Sequence, residues 1–408
     1  MRELSFKSQS LNQSCLGKIT WRKPWLNTKD YVLVAPNATK PSRALLTLSA
    51  IPEAAQVNGM AYVESEQLKQ LQEGDVILVE PGNTVTQYDV AHQDAAQTDT
   101  AQPAVHQPAI PQPAITGSGH IIVMLDTGSK SNYLSLTDRC NHRCIMCPQP
   151  PVKSEPSRLE QNLRLIALMS KDTQSVGITG GEPTMAGDDL ITILQALKKR
   201  VPHAAITILT NAVKLADRNF VHKIACCQCA DLQIDVPLFA ATPELHNEIV
   251  GAKTFYKTIQ GLYNLATYRM DIGIRVVIHR LNYQHLTALS YFIYHNFPFV
   301  KQVAFMQMET IGYAADNIER LWIDPYDYKD ELSDAVNFLR QRRMTALIYN
   351  AQLCVLNPDV RDVAVQSISE WKNINLEACQ ACAHRTECPG FFASNAQFHS
   401  AHIQALTV

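Results

Sequence analysis

Ser135-Leu-Thr-Asp-Arg-Cys-Asn-His-Arg-Cys-Ile-Met-Cys-Pro-Gln-Pro-Pro151 sets Cys140, Cys144 and Cys147 on one short loop, directly after a β-favouring run from Asn132 to Thr137. Three soft thiolates leaving a single loop at these intervals can converge on one metal centre. A compact cubane iron–sulfur cluster takes four ligands and this loop offers three, so one iron is left to accept a ligand from outside the chain. Zinc held by cysteine pairs and isolated buried thiols are the competing readings.

The same alternation of strand and helix continues outward from the loop. Ser175 to Thr179, Ala205 to Leu209, Leu232 to Val236, Ile272 to Ile278 and Gln302 to Met306 read as further strands. Between them Leu159, Leu163, Ile166 and Met169 repeat at helical spacing, as do Leu190, Ile193, Leu194 and Leu197, and Phe255, Ile259, Leu262 and Leu265. Six βα units at this cadence predict an α/β fold, a partial (β/α)6 barrel of parallel strands covered by helices. In such a barrel the C-terminal ends of the strands form the chemical face.

On the N-terminal side, Tyr31 to Val34, Ala44 to Leu48 and Val76 to Val79 are short strand-like runs, with a short helix over Glu64 to Leu71. They predict a small β-rich accessory domain over residues 1–90. Residues 91–119 change to an Ala/Gln/Pro-rich stretch with little apolar bulk, which reads as a flexible linker. The barrel is expected over 120–325 and a cysteine-rich auxiliary domain over 326–408.

The 46% apolar content excludes wholesale disorder, and the net charge of -2 offers a polyanion no global attraction, which disfavours nucleic acid as a partner. Neither a secretory signal nor an uninterrupted apolar run of membrane-spanning length is present, so the expected location is the cytoplasm, with no membrane partner. Eleven cysteines in that compartment point to metal ligation rather than structural disulfides.

The Cys-x3-Cys-x2-Cys spacing after the first strand resembles the radical S-adenosylmethionine superfamily. The resemblance implies that Cys140, Cys144 and Cys147 are the catalytic ligands of a 4Fe–4S cluster with an open iron. S-adenosyl-L-methionine would chelate that iron through its amino and carboxylate groups. Its reductive cleavage would release a 5′-deoxyadenosyl radical that removes hydrogen from the substrate. Many members carry an aromatic residue before the last cysteine, where this chain has Met146. Gly180-Gly181-Glu182-Pro183 follows the second strand and resembles the family element that contacts the amino group of S-adenosylmethionine. Asn211 and Asp235 lie at the third and fourth strand ends, where the family places ribose, methionine or substrate contacts; helix capping is the alternative. Gln307 and Gly312 fall in a sixth-strand region implied to contact adenine and methionine, although Met306 and Met308 beside them also read as packing.

Near the C-terminus, Cys354, Cys379, Cys382 and Cys388 are four thiols from two segments, enough for a second iron–sulfur cluster or a structural zinc ion. Their Cys-x2-Cys-x5-Cys portion resembles part of the extension that binds auxiliary clusters in radical peptide-modifying enzymes, with Phe391 where a fuller extension has another cysteine. The resemblance implies one auxiliary 4Fe–4S cluster ligated entirely by protein. Cys226, Cys227 and Cys229 read as ordinary thiol packing, Cys15 as a free thiol, and His246 and Asn282 as organisers of the site wall.

Over about residues 130–390 the chain resembles the C component of the His-Xaa-Ser system of peptide maturases, most tightly through Cys147-Pro148-Gln149-Pro150-Pro151. This resemblance implies a precursor peptide substrate with His-Xaa-Ser repeats, a partner radical maturase and a one-electron reductant such as flavodoxin or ferredoxin. A crosslink, an epimerisation or another side-chain change all stay open as the product. The other readings are radical modification of RNA or of another protein, and a noncatalytic iron–sulfur electron-transfer partner.

Overall fold

A computed structural model describes seven strands between Arg2 and Leu125 as backbone and, beyond them, residues 131–366, 374–396 and 398–407. The chain divides into two compact units, Met1–Asn132 with Ala167–Ser170, and Tyr133–Ile166 with Lys171–Val408.

In the first unit, strands β1 (Arg2–Ser8), β2 (Cys15–Thr20), β3 (Tyr31–Pro36), β4 (Arg43–Leu48), β5 (Met60–Glu64), β6 (Val76–Pro81) and β7 (Gly117–Leu125) form a closed barrel. Its order is β1-β5-β4-β3-β2-β6-β7, and antiparallel pairing of β1 with β7, from Arg2 opposite Val123 to Ser8 opposite Gly117, closes it. Closure removes the unpaired strand edges that an open sheet of this size would expose. The expected helix after Glu64, the Ala/Gln/Pro stretch up to residue 116 and the Cys15 side chain lie outside the described residues.

The second unit is built on a parallel half-barrel of eight strands. These are β8 (Ser131–Ser135), β9 (Ser175–Thr179), β10 (Ala205–Leu209), β11 (Leu232–Pro237), β12 (Asp271–Ile278), β13 (Gln302–Gln307), β14 (Thr345–Tyr349) and β15 (Ala364–Val365), hydrogen-bonded in chain order. Alternation along each strand sends Leu134, Val176, Ile178, Ile206, Ile208, Ile234, Ile272, Ile274, Val303 and Phe305 to buried positions. Helix Asp188–Arg200 contributes its Leu190, Ile193, Leu194 and Leu197 to the same core. β14 and β15 extend the sheet past the six expected strands. β15 has two residues and β14 follows the polar run Arg340-Gln-Arg-Arg343, so neither carries the long apolar signal of the others.

Helix Pro243–Val250 flanks the C-terminal edge of the sheet, opened by Pro243 and closed by Gly251 at φ +62°. Its His246 is fully buried, with its ring 5.9 Å from Phe239 and 5.5 Å from Phe255. His246 Nδ1 accepts a hydrogen bond from Phe239 N at 3.4 Å, and no described group reaches Nε2. Burial, helped by the charge of His142, lowers the His246 pKa to about 3, and burial with the Arg320 charge lowers that of His279 to about 4. Both imidazoles stay neutral in the fold while the unfolded chain takes up protons below about pH 6.5. The stability they confer is therefore complete above that pH and is lost as pH falls towards the folded values. Thermal unfolding followed from pH 7 to pH 4.5 should show a loss of about 2 kcal/mol per histidine, and His246→Gln should flatten that slope.

Candidate active site

The three cysteines sit on a loop held from several sides. Arg143 N donates to Val250 O at 2.9 Å and Ile145 N to Ile249 O at 3.0 Å, which joins the loop to the end of helix Pro243–Val250. Gly251 lies so close that a Cβ there would stand 2.7 Å from Arg143 O. His142 is buried with Nε2 2.8 Å from Thr254 Oγ1, and Asn317 Nδ2 donates to Ile145 O at 3.1 Å. On the far side Tyr313 N donates to Cys147 O at 2.8 Å, while Gly312, at φ +58°, leaves space that a Cβ would fill at 2.6 Å from Cys147 O. Gly312 therefore acts on the last cysteine through close backbone approach. Met146 and Met308 are buried together with Phe239, Ile249 and Val250, so both serve the apolar floor under the loop.

The second and third strand ends meet the loop through Glu182. Gly180, at φ +139°, and Gly181 bring β9 against the loop backbone, where added Cβ atoms would lie 2.1 Å from Thr137 O and 2.5 Å from Arg139 O. Glu182 is buried, and its Oε1 accepts from Thr184 N at 3.0 Å, Thr184 Oγ1 at 2.5 Å and Thr210 Oγ1 at 2.6 Å. Its Oε2 accepts from Asn211 N at 2.7 Å. Burial raises the Glu182 pKa, and these hydrogen bonds oppose the rise. The carboxylate that the sequence offers to a ligand ammonium is thus engaged within the protein. Pro183 starts the turn behind it. Asn211 in turn donates to Asn141 Oδ1 at 2.6 Å and stands 3.9 Å from Cys140 Sγ.

Cys140, Cys144 and Cys147 are half-buried and close enough to act on one another electrostatically. Burial, then the neighbouring charges, raises the thiol pKa of Cys140 to about 11, and burial raises those of Cys144 and Cys147 as well. The unligated thiols are therefore protonated at neutral pH, and metal binding would release protons. Among the described residues no three His, Cys, Asp or Glu side chains gather closely enough to hold a single metal ion. Donors that are all sulfur and spread over a loop fit a cluster of several irons.

The C-terminal cysteines also come together. Cys388 and Cys379 act on Cys354, and Cys379 and Cys382 act on Cys388. Gln352 Nε2 donates to Gly390 O at 2.7 Å and Leu406 N to Cys382 Sγ at 3.4 Å, which fixes both segments of the group. Burial raises the Cys354 and Cys388 thiols. This all-thiol set fits the same class of cofactor. Cys226, Cys227 and Cys229 lie elsewhere, at the end of helix Arg218–Cys226, with Cys227 buried and Cys226 exposed.

Gln307 ends β13 and is buried with no partner for Oε1 among the described residues. Asp235 is not joined to the cysteines: its carboxylate accepts from Gln233 Nε2 at 2.7 Å on the sheet face. Sequence reasoning passed over a polar knot at the root of the loop. Glu155 accepts from Thr137 Oγ1, from Asp138 N at 2.5 Å and from Arg139 N at 3.3 Å, and Arg158 pairs with both Glu155 and Asp138. Although burial alone would raise it, these donors and the Arg158 charge hold the Glu155 carboxyl below its ordinary value. Its one sequence signal is the Glu155 to Arg158 spacing of opposite charges.

Residues 134–291 match the model of the Radical SAM superfamily. Among curated proteins, a "Probable GTP 3′,8-cyclase" of Saccharolobus islandicus (strain Y.N.15.51 / Yellowstone #2) is 29% identical over 144 residues, covering 35% of this chain and 44% of that protein. The GTP 3′,8-cyclase of Petrotoga mobilis is 29% identical over 148 residues, covering 34% and 44%. The matched segment thus spans less than half the length of these relatives. Among solved structures, SuiB of Streptococcus suis bound to S-adenosylmethionine aligns with a TM-score of 0.48 at 18% identity, over 60% of this chain and 55% of that one. Native anSMEcpe with bound AdoMet gives 0.41 at 18% identity, over 53% and 62%. The family match and the thiol loop lie on the same half-barrel, and this chain carries a radical SAM superfamily domain.

Proposed function

We propose that the protein is a radical S-adenosylmethionine enzyme that modifies a ribosomally made precursor peptide, with His-Xaa-Ser repeats as its substrate class. The observation that carries the radical chemistry is the three-thiol loop beside a fully engaged carboxylate. Glu182 acts on Cys140 and Cys144 yet has its oxygens committed to Thr184, Thr210 and Asn211, so it does not supply a fourth ligand. One cluster iron is left for S-adenosylmethionine.

When bound, a 4Fe–4S cluster would supply the electron for reductive cleavage of S-adenosylmethionine, the chemistry by which hydrogen is removed from the peptide. Cys140, Cys144 and Cys147 would hold that cluster at the C-terminal edge of the sheet. Asn211 and the Glu182 network orient Cys140, and Gln307 Oε1, left without a partner among the described residues, would accept a hydrogen bond from the nucleoside portion once that group is bound. Gly312 keeps the backbone beside Cys147 close, and buried Met146 and Met308 exclude water from beneath the loop.

The grouping of Cys354, Cys379, Cys382 and Cys388 supports a second 4Fe–4S cluster, which would take up the one electron left on the peptide after hydrogen abstraction. A one-electron reductant of the flavodoxin or ferredoxin class and a partner radical maturase complete the system. Because the curated relatives are named for GTP cyclisation, GTP is the control substrate.

Anaerobic reconstitution with iron and sulfide, followed by reduction, should yield 5′-deoxyadenosine from S-adenosylmethionine. Alanine at Cys140, Cys144 or Cys147 should reduce that yield to background by chromatography. Cys354→Ala should lower bound iron and sulfide by about half while the spectrum still responds to S-adenosylmethionine; bound zinc in the unreconstituted wild type would instead identify the second group as a zinc site. With partner maturase and a His-Xaa-Ser precursor peptide present, tandem mass spectrometry should find a mass change on the peptide. An unmodified peptide under conditions that cleave S-adenosylmethionine, or conversion of GTP, would overturn the peptide assignment.

A further inference from the structure

The face of the half-barrel turned away from its buried aliphatic row carries a polar cluster that none of the roles above uses. Strand alternation puts Tyr133 on β8, Gln233 and Asp235 on β11, Arg275 on β12, Met306 on β13 and Tyr349 on β14 on that face. Two glycines make room for it. A Cβ at Gly177 would stand 2.2 Å from the Tyr133 ring, and one at Gly273 2.2 Å from Asp235 Oδ1. These strands are cut down where their neighbours' side chains cross them.

Arg275 is the only lysine or arginine in strands β8 to β15. It lies in register with Pro237 on one side and Ala304 on the other, neither of which offers a polar side chain. Its guanidinium donates to Met306 Sδ at 3.3 Å, a weak acceptor, and among the described residues no carboxylate comes within ion-pair distance. Asp235 acts on Arg275 electrostatically but keeps its hydrogen bond to Gln233. Tyr133 and Tyr349 also feel the Arg275 charge. The Tyr133 side chain belongs to a residue 41% exposed, so the cluster is open to a ligand. A permanently charged fork with most of its five donors unmatched, on a half-buried apolar floor, favours an incoming anion.

We propose that Arg275, flanked by Tyr133 and Tyr349, binds a side-chain carboxylate of the peptide substrate and so orients the peptide across the half-barrel. This rests on the peptide reading above. A carboxylate matches the single guanidinium in charge and in fork geometry. A nucleoside triphosphate carries several negative charges and would need further cations, which strands β8 to β15 do not supply.

Short peptides of His-Glu-Ser or His-Gln-Ser repeats, labelled with a fluorophore and amidated at the C-terminus, are titrated onto the full chain reconstituted anaerobically. The proteins are wild type, Arg275→Gln and Arg275→Lys, and formation of 5′-deoxyadenosine without peptide is measured in parallel. Wild type should bind the Glu peptide about tenfold to a hundredfold more tightly than the Gln peptide. Arg275→Gln should bind both alike, Arg275→Lys should keep part of the preference, and all three should cleave S-adenosylmethionine equally. Equal binding by wild type, or a preference that survives in Arg275→Gln, overturns the proposal. Loss of S-adenosylmethionine cleavage in Arg275→Gln also overturns it, by assigning the guanidinium to that cofactor. Displacement of the Glu peptide by GTP from wild type but not from Arg275→Gln overturns it in favour of a nucleotide phosphate. If wild type forms no 5′-deoxyadenosine, the radical reading fails while the Glu and Gln comparison still decides this one. If Arg275→Gln does not fold, the wild-type comparison and Arg275→Lys decide it.

Discussion

Burying a carboxylate is costly unless donors replace the water it loses, and Glu182 shows how this fold meets that requirement. The side chain is 1% exposed and accepts from two threonine hydroxyls and two backbone amides. The donors come from the turn after β9 and from the end of β10, so the carboxylate joins two strand ends. Thr210 and Asn211 are held where Asn211 can reach Asn141 and the Cys140 sulfur. The position of the first thiol therefore depends on a charge that never meets solvent. A neutral isostere at Glu182 would leave hydroxyl and amide donors unmatched in the interior, which is the expensive direction of error for a buried network.

The loop is fixed by backbone contacts more than by side-chain packing, and this explains the distribution of glycines. Gly180, Gly251 and Gly312 have positive φ, and each faces loop backbone at a distance no Cβ could share. Three separate elements can then approach the cysteine loop to hydrogen-bonding distance. Cluster ligation needs its sulfurs held before the metal arrives, because every degree of freedom frozen on binding weakens the site. Here the ordering is already present in the folded chain.

Much of this was legible in the residues. β9 and β10 span Ser175–Thr179 and Ala205–Leu209, as their apolar runs predict, because short β-branched segments between turn residues have little alternative to a buried strand. The close approach of Gly180-Gly181 was also readable from the pair itself. What escaped is what depends on residues distant in sequence. Glu182 reads as a ligand-facing acid until Thr210 is brought beside it from the next strand. The Glu155, Asp138 and Arg158 knot joins a proline-flanked loop to the root of the cysteine loop, and no periodic pattern marks it. β15 is too short, and β14 too close to charged residues, to stand out from the helix before them.

Those two strands also relate the two thiol groups to one another. β14 leads within a few residues to Cys354, so the second thiol group hangs from the same sheet as the first. The segment after β13 reinforces the link: Thr310 N donates to Asn395 Oδ1 at 3.3 Å, and Asn395 Nδ2 donates to Met308 O at 3.3 Å. Two residues further on, Gly312 presses against Cys147. A short stretch of backbone, Met308 to Tyr313, therefore touches the cysteine loop on one side and the C-terminal segment on the other. Buried hydrogen bonds and close-packed backbone resist independent movement, so this stretch ties the cysteine loop to the segment that follows Cys388.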